Sequence, residues 1–251
     1  AIFQRSYHPL PAPQTAISAE LSFSFSSKTA QVEQLSSSVI PYHVATGYLG
    51  DHRFALLRAL SGSIRSSLQN HGARRILAYF DENSADDERL HTGHQFMQEN
   101  YDFLLRKVLA EPWLGLVMKP KNPKSLRRRL GPVAPLLLEA ESTGRAYVYE
   151  GGSIQGSHSP AEAAMEVDLV IHGHLCGGTA GIESVLAGVP TLLMDREWWP
   201  VSPLYQLPAD TVVFQLWPDL WKACLQHWAS PSGTPGFGDW TPILDELDPF
   251  R

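Results

Sequence analysis

The sequence predicts an α/β fold, with a doubly wound parallel sheet over residues 49–230 and a remnant of an N-terminal domain over residues 1–48. Three observations predict this fold. Short apolar runs without strict polar alternation are typical of strands that are buried on both faces. Amphipathic stripes at helical spacing separate these runs along the chain. Glycine and proline mark many of the junctions, as turns between strands and helices require.

The elements follow one another in regular alternation. Predicted strands occupy residues 76–80, 114–118, 146–149, 168–171, 191–194 and 211–214. Predicted helices cover residues 54–68, 97–108, 124–141, 182–189 and 217–228. We expect Pro132 and Pro135 to disturb the third of these helices, because proline removes a backbone donor. Ligands of such sheets bind beyond the carboxyl ends of the strands, so the residues that directly follow each strand are the candidates for chemistry.

The flanks are less regular. Residues 21–25 alternate between apolar and polar side chains, and residues 39–44 form a second apolar run, so both are predicted strands of the remnant. Residues 231–251 are predicted to be a flexible connector and a C-terminal tail, with a short docking helix from Thr241. Because the chain opens on Ala1 rather than Met, we expect a processed or excised piece of a longer protein.

Composition and charge argue against several classes of protein. The 251 residues are 43% hydrophobic, which is enough for a sizeable core, and carry a formal net charge of −6. That charge argues against a nucleic-acid partner held by overall attraction. The two cysteines form no disulfide framework, and no apolar run reaches the length of a membrane span. We expect a cytoplasmic protein that can associate peripherally with the cytoplasmic face of the inner membrane.

The segment after the fourth predicted strand is rich in glycine. Gly177 and Gly178 allow a tight turn, and a helix is predicted to begin there, so its free N–H groups form a phosphate site. Thr179 either caps this helix or donates to a phosphate oxygen. Glu183, one turn further on, is positioned to accept hydrogen bonds from sugar or ribose hydroxyls. The alternative interpretation is a glycine-rich turn with a capping threonine and a solvated glutamate. The segment matches neither the dinucleotide fingerprint nor the P-loop.

The ends of the other strands offer further candidates. Lys119 and Lys121 follow the second strand and could contact phosphate or carboxylate, whereas the arginines at 127–129 are predicted to lie on a solvated helix face. Ser153 belongs to a loop that we interpret as a backbone cradle for a nucleotide base. His172 and His174 share one face of a strand end, where a metal pair is conceivable but no third ligand is indicated. We therefore predict no metal site and interpret the histidines as wall residues.

After the first strand comes an acidic run that starts at Asp81. Such a loop could hold a metal or an acceptor hydroxyl. It could equally be a solvated loop with a local cap.

One segment carries a family resemblance. Residues 178–190, with Glu183 in the first helical turns and Gly188-Val189-Pro190 before the next strand, resemble the donor-site helix of GT-B glycosyltransferases. Within that Rossmann-like family they are most similar to the capsule and surface-carbohydrate enzymes, including Kdo and related CMP-sugar transferases. Residues 46–48 resemble the crossover into the C-terminal domain of these enzymes. The chain departs from the CMP-sugar enzymes at Lys121-Asn122, where they often have histidine.

The resemblance implies a function. The chain would be the donor-binding half of a glycosyltransferase that moves a sugar from a nucleotide sugar to a surface polysaccharide or glycolipid. Lys119 and Lys121 would neutralise the leaving nucleotide, which is electrostatic rather than covalent catalysis. The catalytic base of this family usually lies in the N-terminal domain, so no base is named from the sequence. Two alternatives remain: a UDP-sugar 2-epimerase-like isomerase of the same fold, and a non-catalytic nucleotide-binding domain. No metal or other cofactor is expected in any of them.

Overall fold

The structure is a computed structural model. It describes residues 1–8, 10–82, 84, 93–150, 158–175, 178–196, 198, 200 and 202–250. Within these residues the chain builds two parallel sheets, one of three strands and one of six. No helix in the described part of the chain is long and apolar enough to cross a bilayer.

The larger sheet begins after residue 70. Its strands are β4 (Arg75–Phe80), β5 (Leu114–Lys119), β6 (Ala146–Val148), β7 (Leu169–His172), β8 (Thr191–Met194) and β9 (Val213–Phe214). They lie in the order β6-β5-β4-β7-β8-β9, and all neighbours pair in parallel. The strand order reverses between β4 and β7, which makes this pair the topological switch point where open α/β sheets bind ligands.

Helices cover both faces of this sheet. The α-helices that follow residue 50 in the described part of the chain are α2 (Phe54–Leu60), α3 (Ser63–Asn70), α4 (His94–Ala110), α5 (Leu126–Leu130), α6 (Ala134–Ser142), α7 (Pro160–Ala164), α8 (Thr179–Leu186), α9 (Trp217–Ala229) and α10 (Thr241–Leu247). Along β4, Leu77 and Tyr79 pack with α4, α6 and α9, whereas Ile76 and Ala78 pack with α3 and α7 on the opposite face. The predicted doubly wound parallel α/β fold is confirmed.

Two predicted helices are interrupted in the structure. The stripe at 54–68 forms α2 and α3 as separate helices, because Gly62 adopts φ +113°, a left-handed conformation that glycine tolerates. The Glu166 carboxylate then accepts from the N–H groups of Gly62 (2.7 Å) and Arg65 (2.9 Å), which fixes the start of α3. The stripe at 124–141 forms α5 and α6, separated by a 3-10 turn over Gly131–Val133 that contains Pro132.

The first 48 residues form a small parallel sheet. It contains β1 (Ile2–Phe3), β2 (Leu21–Ser24) and β3 (Tyr42–Ala45) in that order, and α1 (Ser27–Leu35) crosses over between β2 and β3. A capping box of Ser26 and Thr29 starts α1. The boundaries of the remnant, of the larger domain and of the tail stay predictions.

The C-terminal residues connect the two sheets. The helix expected from Thr241 is α10, and it lies against α1. Trp240, which precedes α10, is 1% exposed and donates from Nε1 to the Thr191 carbonyl at 2.9 Å. Its ring packs on α8 at Gly181, where a Cβ would come within 2.6 Å of Trp240 Cη2. The absence of a side chain at residue 181 is therefore what admits the indole.

Trp240→Ala should lower the free energy of unfolding by about 3–5 kcal/mol, because it empties a buried site and leaves the Thr191 carbonyl without its donor. Trp198→Ala is the matched control, since Trp198 is 65% exposed. Its effect should stay within about 0.5 kcal/mol. Urea denaturation of both variants measures the difference, and equal small effects would show that α10 does not depend on this indole.

Candidate functional site

A cleft of about 600 Å³ opens where the two sheets meet. On one side it is lined by the residues that end or follow β4, β5 and β7 of the larger sheet. On the other side it is lined by residues that follow β1 and β3 of the small sheet. The lining includes Arg5, Tyr7, His8, Tyr48, Phe80, Asp81, Glu82, Lys119, Lys121, His172, Thr179 and Glu183. The cleft thus lies at the topological switch point, as the fold requires of a ligand site.

The strand register sets the floor of the cleft. Phe80 of β4 pairs with Lys119 of β5 on one side and with His172 of β7 on the other. The three strands therefore end level with one another, and the side chains that follow them face a common space. The structure thus places Lys119, Lys121 and His172 at the cleft, and their role in binding a donor stays a prediction.

The two lysines differ in their surroundings. Lys121 forms an ion pair with Glu82 at 2.5 Å, and its side chain is about half exposed. Lys119 is partly buried, and no carboxylate of the described residues lies within ion-pair distance of its ammonium. Desolvation lowers the pKa of Lys119, although Glu183, Asp81 and Glu162 oppose the shift. The Lys119 ammonium is thus partly desolvated without an ion-pair partner among the described residues, so an anionic ligand beside it would stabilise its charge.

A buried ion pair supports the loop after β5, which carries Lys121. Asp81 Oδ1 accepts from the Lys121 N–H at 2.6 Å, and Oδ2 accepts from the Tyr101 hydroxyl at 3.2 Å. Arg129 lies 3.5 Å from the same Oδ2 and also donates to the Asn122 carbonyl at 3.1 Å. Both charged side chains are almost fully buried. The prediction that residues 127–129 lie on a solvated face is wrong for Arg129, because α5 turns this side chain toward the strand ends.

Burial dominates the titration of Asp81. It raises the pKa of this carboxyl to about 6, although Arg129 and the hydrogen bonds from Lys121 and Tyr101 oppose the shift. The loop after Asp81 was also a candidate, but residues 83 and 85–92 lie outside the described residues.

The start of α8 is covered by the N-terminal segment. The Tyr7 N–H donates to Thr179 Oγ1 at 2.7 Å. A Cβ at Gly178 would come within 2.9 Å of Tyr7 Cδ1, so glycine at this position admits the tyrosine ring. Thr179 lines the cleft and its hydroxyl accepts from the chain itself. Gly177 and Ser153, which were also predicted at the donor site, lie outside the described residues.

Glu183 lies on α8 with its carboxylate at the cleft wall. Oε2 accepts from the Tyr48 hydroxyl at 2.8 Å, and Oε1 accepts from the Ala161 N–H at 3.1 Å. The Glu183 side chain is buried. Desolvation raises the pKa of Tyr48 most, and the negative charge of Glu183 raises it further. Glu183 thus ties the crossover after β3 to the start of α7. A carboxylate has about four acceptor positions, so these two bonds leave capacity for a ligand hydroxyl.

The histidines at the end of β7, His172 and His174, are buried. His172 Nδ1 lies 2.7 Å from the His174 carbonyl, and His172 Nε2 lies 4.0 Å from a Glu82 oxygen. Among the described residues, no three histidine, cysteine, aspartate or glutamate side chains are grouped to hold a metal ion. His172 lines the cleft, as predicted for a wall residue.

Sequence reasoning missed the contribution of the N-terminal segment. Arg5, Tyr7 and His8 reach the cleft because they follow β1, and β1 has only two residues and therefore no periodic pattern. His8 lies in a mixed electrostatic environment. Desolvation lowers its pKa, Glu33 opposes this shift and Lys121 adds to it. A neutral imidazole at the cleft is a candidate proton acceptor near neutral pH.

Comparisons with known proteins give a limited result. No protein-family model and no curated protein matches the sequence. A solved structure that the chain resembles is the crystal structure of HepE from Anabaena in complex with UDP and glucose. The identity is 9% and the TM-score is 0.49, over 92% of this chain and 60% of that one. The chain thus spans less than two-thirds of that structure, and its fold assignment rests on its own strand order.

Asp81 should make stability depend on pH in a defined direction. Its pKa in the folded protein, about 6, lies above the usual value of 3.8. The folded state therefore holds the proton more tightly, so the contribution of this group is fully present below pH 3.8 and is lost as the pH rises through 6. Wild-type protein should lose stability relative to Asp81→Asn over this interval. Urea denaturation of both proteins across the interval measures the slopes, and parallel slopes would contradict the assignment.

Proposed function

We propose that this chain binds a nucleotide sugar and transfers its sugar to a saccharide or glycolipid acceptor of a surface polysaccharide. The observation that carries the proposal is the cleft between the carboxyl ends of two parallel sheets, with Lys119 at its floor. The family resemblance of residues 178–190 supports the same function. The acceptor, the cytoplasmic location and association with the inner membrane are parts of this proposal.

The donor phosphates are placed beside the lysines. An anion next to Lys119 restores the electrostatic interaction that the ammonium loses on burial, and Lys121 lies on the same loop. Thr179 lines the same cleft, and the start of α8 adds a partial positive charge. When the bond from sugar to phosphate breaks, these groups stabilise the negative charge of the leaving nucleotide. No divalent ion is needed for this step in the proposal.

The donor sugar or ribose is placed next to Glu183. The contacts with Tyr48 and Ala161 hold this carboxylate at the wall and fix its direction. It accepts hydrogen bonds from ligand hydroxyls with its remaining acceptor positions. His172 forms part of the wall of the same cleft, with Nε2 4.0 Å from a Glu82 oxygen. Ser153 and Gly177 retain their predicted roles, at the base and at the phosphate.

His8 is our candidate for the catalytic base. It lines the cleft, and desolvation favours its neutral form. In a single displacement, the acceptor oxygen forms a bond to the anomeric carbon while the bond from that carbon to the phosphate oxygen breaks. The phosphate keeps the bonding electron pair, and His8 takes the proton of the acceptor hydroxyl.

One pair of assays tests the proposed function. Thermal shifts with CMP, UDP, GDP and CDP identify the nucleotide that stabilises the chain, since a ligand of the folded state raises its melting temperature. The matching nucleotide sugars are then incubated with the protein, with and without a saccharide acceptor. Transfer requires acceptor, whereas an epimerase makes an isomer without acceptor. Binding without either product would indicate a non-catalytic domain, and no binding would refute the proposal.

Lys119→Met should weaken binding of the identified nucleotide about tenfold to a hundredfold, because one charge-assisted contact contributes roughly 1.5–3 kcal/mol. Lys124→Met is the control, since Lys124 is an exposed lysine of the same loop that does not line the cleft. Isothermal titration calorimetry of both variants decides the matter. Equal affinities would mean that the phosphates are held elsewhere.

His8→Gln should lower kcat about a hundredfold or more and leave the nucleotide affinity unchanged, because a general base acts on the chemical step. Glutamine retains hydrogen bonding but cannot take the proton. His52→Gln, at an exposed histidine near the start of α2, is the control and should retain full activity. A parallel loss of nucleotide affinity in His8→Gln would instead make His8 a binding residue.

A further inference from the structure

We propose that a second cavity beside the cleft is the subsite for the acceptor, and that it takes one hydroxyl-rich sugar ring. This inference rests on the proposed function. The cavity has a volume of about 260 Å³ and lies between the small sheet and α1. It shares Arg5, Ser6, His8 and Thr15 with the cleft, so the N-terminal segment forms a common wall between the two spaces.

The wall of the second cavity is mostly apolar and carries one carboxylate, that of Glu33. Glu33 of α1 lines it, and its Oε2 accepts from the hydroxyls of Ser22 and Ser24 at 3.3 Å each. His43 Nδ1 lies 3.6 Å from the same oxygen. Among the described residues, no donor contacts Glu33 Oε1 within hydrogen-bond distance. The two serines thus fix one carboxylate oxygen and leave the other available to a ligand.

The polar cluster of Glu33, Ser22 and Ser24 is unusual for its place in the fold. The interface between a parallel sheet and its covering helix is normally apolar, and buried polar groups cost free energy unless they find partners. Ser22 and Ser24 are nonetheless fully buried on the face that α1 covers, with His43 directly opposite Ser22 in the register. A ligand that donates hydroxyl hydrogen bonds to Glu33 gives this polar cluster a function.

The size of the cavity limits the occupant. Its 260 Å³ is smaller than the pockets of about 300–1,000 Å³ that enclose drug-sized ligands, and corresponds to roughly nine waters of liquid volume. One sugar ring with its hydroxyl groups can displace that amount of water. The remainder of a longer acceptor must extend out of the cavity.

The common wall sets the direction of the acceptor. His8 lines both spaces, and the charge of Glu33 acts on it. A ring held by Glu33 therefore presents a hydroxyl to His8 from one side, while a donor beside Lys119 approaches from the other. Glu33 acts as a specificity-determining residue in this arrangement.

Two variants and a matched control test the subsite. Glu33→Gln removes the charge, and Val32→Phe fills the cavity from the same helix while leaving the carboxylate in place. Leu35→Phe adds the same ring at an exposed position of α1 that does not line the cavity. The probes are D-glucose, D-galactose, D-mannose and N-acetyl-D-glucosamine. Their binding is followed by ligand-observed NMR on protein saturated with the nucleotide identified above.

We expect at least one probe to bind wild type and Leu35→Phe alike, and about tenfold or more weakly to Glu33→Gln and Val32→Phe. The nucleotide affinity should be the same in all four proteins. Should Glu33→Gln unfold the small sheet, Val32→Phe decides the result. Unchanged probe binding in Val32→Phe, or no probe binding to nucleotide-saturated wild type, overturns the subsite and leaves the proposed function intact. Failure of wild type to bind any nucleotide overturns both.

Discussion

The candidate site depends on one buried carboxylate, Asp81. It stands at the end of β4, where the strand order reverses, and it holds the backbone of Lys121 directly. Through Arg129 it also holds the Asn122 carbonyl, so the loop after β5 is fixed from both its N–H and its C=O groups. Removing a charged group from water costs free energy. For Asp81 the hydrogen bonds from Lys121 and Tyr101 and the ion pair with Arg129 offset that cost. The backbone that carries Lys121 is thus held by buried groups directly beside Lys119, the last residue of β5.

The sequence predicted the large sheet well, because buried parallel strands leave apolar runs that are local in the chain. It predicted Lys119, Lys121, His172, Thr179 and Glu183 near one another, since all follow strands or begin a helix at the same sheet edge. It could not predict the contact of Glu183 with Tyr48, which lies 135 residues away, or the burial of Arg129. Such contacts follow from how α5 and the crossover pack in three dimensions, and no local pattern encodes them.

In the small sheet, too, the local sequence pattern does not show which residues are buried. Its three strands are short, and its covered face carries Ser22 and Ser24 rather than apolar side chains. Alternation in β2 therefore resembles that of a strand with one solvated face, although the serines are the buried residues. Phe3, Tyr42 and Val44 lie instead at exposed positions. A prediction from hydrophobicity would bury the apolar face of this sheet and expose the serine face. The structure has the opposite arrangement, because α1 covers the serine face.

The bond between Tyr7 and Thr179 joins the two sheets across the cleft, and the bond between Tyr48 and Glu183 joins them a second time. Together with the contacts of Trp240 and α10 they hold the two sheets at one separation, with the cleft already open between them. A ligand therefore meets a preformed site, and little of its binding free energy is spent on ordering the chain.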